Sequence, residues 1–73
     1  MVWEWRATRW VLPLPDGRQL DIEVNGPWKQ LWYRAPGKAS LLVGNYRTIH
    51  TAMEEGLATA NQIVTQRRIL EEA

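Results

Sequence analysis

The stretch Gly44-Asn45-Tyr46-Arg47-Thr48-Ile49-His50-Thr51-Ala52 decides how this chain folds, because the hydrophobic period changes within it. Upstream, Leu20, Ile22 and Val24 alternate with Gln19, Asp21 and Glu23, the period-two pattern of a half-buried strand. Downstream, Ile49, Met53, Gly56, Ala60, Ile63 and Leu70 recur at helical spacing, with Ala52, Leu57 and Val64 beside them. Thr48 stands where an N-cap is needed, since its hydroxyl can accept from a free N–H of the first turn. Thr51-Ala52-Met53-Glu54 offers a second start of capping-box type one turn later. No proline follows Thr48. The spacing predicts one long helix within 48–71, with about 22 residues in helical conformation and a length of roughly 33 Å.

Turn signals divide the residues before that joint. Pro15-Asp16-Gly17-Arg18, Asn25-Gly26-Pro27 and Ala35-Pro36-Gly37-Lys38 each combine proline with a glycine that accepts positive φ, and Pro36-Gly37 is the type II pairing. Between them lie strand-length segments. Residues 2–6 and 9–14 form one long or two broken strands, with Pro13 and Pro15 marking an edge or an end. Over 28–34, Leu31 and Tyr33 share one face while Trp32 and Arg34 share the other. Residues 40–46 are apolar enough for a central or well-covered strand. The expected fold is α+β: a three- to four-stranded antiparallel β-meander over residues 1–47, packed on one long C-terminal helix over 48–71. Residues 1–73 form a single domain.

Strands of six or seven residues span only about 20–23 Å, so the helix is expected to overhang its sheet. Ala52, Gly56 and Ala60 let its first half sit close. Gly56 costs roughly 1 kcal/mol against alanine inside a helix, and close packing is the expected compensation. Ile63, Val64, Ile69 and Leu70 lie further along. They need cover from the N-terminal tryptophans, from a second copy of the chain, or from another partner.

The joint Gly44–Ala52 resembles the strand-to-helix junction of small bacterial and phage β-meander–helix domains, in which glycine, an aromatic, a capping Ser/Thr and a helical alanine follow in that order. The DNA-binding arm domain at the N-terminus of tyrosine integrases is one such domain. The likeness extends over residues 19–60. It implies that basic strand residues face DNA, which here points to Lys29, Arg34 and Arg47. The chain departs from that pattern in its net charge of +1 and in the acidic strand that holds Asp21 and Glu23.

Composition excludes several chemistries. The absence of cysteine in 73 residues removes disulfides and zinc–thiolate sites. His50 is the single histidine and Ser40 the single serine, so neither a metal cluster nor a Ser-His-acid arrangement is expected. Gly37-Lys38-Ala39-Ser40 echoes a phosphate-binding loop, but Trp32 occupies the place of the required glycine and Ala39 separates lysine from serine. Asp21 and Glu23 are expected on a solvated strand face. No catalytic residue, metal or cofactor is expected. No basic region precedes an apolar run, and no stretch of about eighteen apolar residues occurs, so the expected setting is soluble and cytoplasmic.

What remains is aromatic and basic. Five tryptophans serve a chain with no phenylalanine. Trp3, Trp5, Arg6 and Arg9 form one candidate cluster beside Trp10, and Trp28, Lys29, Trp32 and Arg34 form another. Tryptophan and arginine are enriched at protein-interface hot spots, and aromatics among cations also stack nucleic-acid bases. Residues 1–47 carry seven basic and four acidic side chains, against two and four in residues 48–73. That balance is too mild to make nucleic acid the first expectation. The leading expectation is a non-enzymatic protein-interaction module, a small phage or prophage-type regulator that binds a host protein through its aromatic and basic face. The alternative is a nucleic-acid-binding domain using the open sheet face. A homodimer through Ile63, Val64 and Leu70, or through the sheet face, is a further partner arrangement.

Overall fold

The computed structural model describes the backbone of residues 2–72 and the side chains of residues 2–66. The chain runs through β1 (Glu4–Arg6), β2 (Arg9–Pro13), a 3-10 turn at Pro15–Gly17, β3 (Gln19–Asn25), β4 (Trp28–Arg34), β5 (Leu41–Tyr46) and α1 (Ile49–Glu72). The strands pair antiparallel in sequence order, so the meander has five strands with β1 and β5 at its edges.

Each expected turn has the backbone its residues require. Gly17 (φ 74°) and Gly37 (φ 71°) take positive φ, and Lys38 N–H donates to Ala35 O at 3.2 Å to close the Pro36-Gly37 turn. Gly26 (φ 60°) precedes Pro27 in a two-residue loop between Asn25 and Trp28, the glycine-first order of a type II′ hairpin. The fifth strand arises at a turn without a sequence signal. Ala7 and Thr8 link β1 to β2, and Ala7 adopts φ 54° although it is not glycine.

Helix α1 starts at Ile49, and Thr51 N–H donates to Thr48 Oγ1 at 3.2 Å, which makes Thr48 the cap. The second, capping-box start is not used: Thr51 Oγ1 meets Thr48 Oγ1 at 2.9 Å, and Glu54 pairs instead with His50 one turn back. The helix lies over β3, β4 and β5. Leu12, Leu14, Leu20, Ile22 and Leu31 meet Ala52 and Ala60 in the core, bordered by Trp3, Trp10, Tyr33, Tyr46, Ile49, Met53 and Ile63. Register explains this set. Leu12, Leu20, Tyr33 and Leu41 form one row across β2–β5, and Trp10, Ile22, Leu31 and Gly44 form the next on the same face.

Gly56 is buried, and its compensation is visible. A Cβ built there would lie inside contact distance of Trp3 Cζ2 and 2.9 Å from Trp3 Cη2. Trp3 thus lays its ring on the helix backbone, which ties the N-terminal segment to α1 across the β1–β2 side of the core.

Segment 41–46 departs from expectation. It is neither central nor well covered: β5 is an edge strand with Leu41, Leu42 and Val43 exposed at 61%, 45% and 39%. The chain turns from β5 directly into the helix, so no further strand covers that edge. Among the described residues, no helix is long and apolar enough to cross a membrane.

Candidate functional site

The sheet face opposite the helix is built from the alternate residues of the same strands. Val11, Asp21, Trp32 and Leu42 form one row across β2, β3, β4 and β5. Asp21 is fully buried there, although it faces away from the helix. Its expected solvation is replaced by partners on its own strand and on both neighbouring strands. Arg34 Nε donates to Asp21 Oδ2, Arg34 Nη2 reaches Asp21 Oδ1 at 3.2 Å, and Gln19 Nε2 donates to Asp21 Oδ2 at 3.1 Å. Arg9 Nη1 stands 3.7 Å from Asp21 Oδ1 and 2.5 Å from Glu23 Oε1, while Arg34 Nη2 also donates to Glu23 at 2.8 Å. Arg34 Nη1 donates to Ser40 Oγ at 2.8 Å.

Two arginines therefore bracket two carboxylates across three strands. A buried carboxylate is costly unless paired and hydrogen-bonded, and this arrangement supplies both. The hydrogen bond to Asp21 raises the pKa of Arg34, against the opposing effect of burial and with further help from the charges of Asp21 and Glu23. The guanidinium also lies 5.5 Å from the Trp32 ring centroid, within cation–π range.

The eight sequence candidates do not form one surface. Arg9, Trp32 and Arg34 come together on the open face, as the alternation around Leu31 and Tyr33 required. Trp28 lies at one end of that face, with the Arg47 guanidinium 4.8 Å from its ring centroid. Arg6 is exposed and paired with Glu4 within β1. Trp3 instead packs against the core beside Gly56. Trp5, 58% exposed, stands edge-on to Trp10 at 5.3 Å between centroids and 61° between planes, on the helix side of the β1 edge. Lys29 pairs with Val24 and Tyr46 in the helix-side register, so it does not share a face with Arg34.

Of the side chains expected to offer a helix-mediated dimer contact, Ile63 packs against the chain's own core and Val64 is half-buried. The side chain of Leu70 lies outside the described residues. His50 and Glu54 form an exposed i,i+4 pair at 2.9 Å.

The surface the sequence missed is β5. Its residues Leu41–Tyr46 carry no charge, and the exposed Leu42 lies directly beside Trp32 on the open face. Opposite Leu31 and Trp32 the register slips, leaving Val43 as the extra residue of a bulge between Leu42 and Gly44. The signal for this surface was present in the string Leu41-Leu42-Val43, but apolarity alone does not separate an edge strand from a central one. Comparisons with known protein families, with curated proteins and with solved structures find no match to this chain.

Proposed function

We propose that this chain is a non-enzymatic protein-interaction module that docks its partner along β5 and the adjoining open face around Leu42 and Trp32. The observation that carries the reading is β5 itself, an uncharged edge strand with three exposed large apolar side chains. Proteins normally blunt such edges, and contiguous exposed apolar surface beside an aromatic marks an interaction site. The nucleic-acid reading has less support. Arg9 and Arg34 are engaged by Asp21 and Glu23, and Arg6 by Glu4, so phosphate contacts would have to displace existing carboxylates.

The test is capture of protein from nuclease-treated extract by the immobilised chain, compared with the variant Leu41→Lys/Val43→Lys. Both positions are exposed, and circular dichroism checks that the variant folds. Wild type should retain a protein that the variant captures about tenfold less well, with little loss between low and moderate salt. Equal capture by the variant, or recovery of nucleic acid alone without nuclease, would overturn the reading.

A further inference from the structure

Resting on that reading, we infer that the occupant of β5 is a short extended peptide segment of a partner protein, apolar at its centre and acidic at both ends, which adds to the sheet as a sixth strand. The two sheet edges differ in how they are protected. Edge β1 has three residues and presents the Glu4–Arg6 ion pair, so it is short and charged. Edge β5 has six residues and no charge. Strand addition at such an edge draws affinity from main-chain hydrogen bonds and specificity from alternate side chains. Leu41 would meet the peptide on the helix side, beside Tyr33, and Leu42 on the open side, beside Trp32.

Charge selects the ends of the occupant. Lys38 precedes β5 and Arg47 follows it directly, and the ion pairs seen among the described residues involve Arg6, Arg9, Arg34 and His50 but neither of these two. The Trp28 ring beneath Arg47 holds that cation at the end of the strand. A strand with acidic residues on either side of an apolar centre meets both.

A second copy of the chain fits less well, for three reasons. Two-fold pairing of β5 with itself is antiparallel, which places Lys38 of one copy beside Arg47 of the other at both ends. Each copy would also bring its own bulge at Val43 to the centre of the pair, where the extra residue interrupts the ladder. Finally, an edge about 20 Å long offers roughly a few hundred Å² of contact, short of the ~800 Å² per partner typical of stable complexes. A peptide strand brings neither the opposing cations nor a second bulge, and a short segment is held by a strand-length contact of this size.

The experiment is an NMR titration of the isotope-labelled chain with a short synthetic peptide of alternating valine and threonine, bearing paired glutamates at each end. The control carries lysines in their place. The glutamate peptide should shift the β5 amides saturably, slow their hydrogen exchange, and bind at least about tenfold more tightly than the lysine peptide. The variant Lys38→Glu/Arg47→Glu should reverse that preference. Equal binding of both peptides overturns the inference. So does β5 protection that grows with chain concentration alone alongside a dimeric mass, which would identify a second copy as the occupant. If capture depends on Leu41 and Val43 while the glutamate peptide leaves β5 unmoved, the docking surface stands and the strand occupant is wrong. If capture ignores Leu41 and Val43, the docking surface itself is wrong and the inference falls with it.

Discussion

Gly56 shows how a single position sets the distance between helix and sheet. Inside a helix, alanine is favoured over glycine by roughly 1 kcal/mol, so propensity alone says that Gly56→Ala stabilises. The added methyl, however, enters the space held by the Trp3 ring, with Leu31 Cδ1 also within 3.4 Å. Either the helix lifts or the ring swings out and loses its burial, and overpacking of this kind costs about 1–3 kcal/mol. The clash is therefore expected to outweigh propensity. Gly56→Ala should lower stability by about 1 kcal/mol net, measured by urea unfolding followed at 222 nm. In a Trp3→Ala background the sign should reverse, because the methyl then fills space and gains its helix preference. A double-mutant cycle reads the coupling directly. If Gly56→Ala destabilises equally with and without the indole, Trp3 is not what the glycine accommodates.

Strand by strand, the bond between Arg34 on β4 and Asp21 on β3 is the polar counterpart of the core. Removing one partner of a buried ion pair leaves an uncompensated charge, whereas an exposed pair contributes little. Arg34→Ala should therefore cost about 3 kcal/mol, and Arg9→Ala below ~1 kcal/mol, since Arg9 is the more exposed and stands farther from Asp21. Arg34→Lys should rescue poorly, because one ammonium cannot span both Asp21 oxygens and Glu23. Comparable losses for Arg9→Ala and Arg34→Ala in chemical denaturation would contradict this division. The same strands mark the limit of sequence reading. Alternation in 19–25 already turned Asp21 away from the helix, and alternation in 28–34 put Trp32 and Arg34 together. Burial of Asp21 was not legible, because it depends on the registers that bring Trp32 and Arg34 from β4 and Arg9 from β2 around it. Lys29 was legible in principle, since it shares parity with Leu31, but its neighbours in sequence suggested a cluster that strand geometry splits. The Ala7-Thr8 turn carried no glycine or asparagine, so nothing local decided between one long strand and two over residues 2–14. Position at the edge belongs to topology, and for that reason the apolar run in β5 read as a covered strand.

Across the whole molecule, sheet and helix meet at Tyr46, where the last strand hands over to α1. The Tyr46 ring lies over Gly44, so that a Cβ at Gly44 would fall 2.6 Å from the Tyr46 hydroxyl oxygen. The ring thereby fills the place a side chain would take and joins the border of the core. Burial of the phenol raises its pKa, and the carboxylate of Glu55 on the helix raises it further. For an acid whose folded pKa lies above its unfolded value, the folded state holds the proton more tightly. The contribution of Tyr46 is then fully present below the unfolded tyrosine pKa of about 10, and it is lost as pH rises from there through the folded pKa. Stability should fall with pH above about 10, and Tyr46→Phe should remove the part of that fall due to this phenol while leaving neutral-pH stability nearly unchanged. Glu55→Gln should bring the Tyr46 titration only part of the way back toward that of a free tyrosine, because burial is the larger cause. Absorbance at 295 nm in a Tyr33→Phe background isolates Tyr46 and gives its titration directly. A midpoint at or below that of a free tyrosine, or an alkaline stability loss that persists unchanged in Tyr46→Phe, would show that the helix does not seal the sheet at this corner.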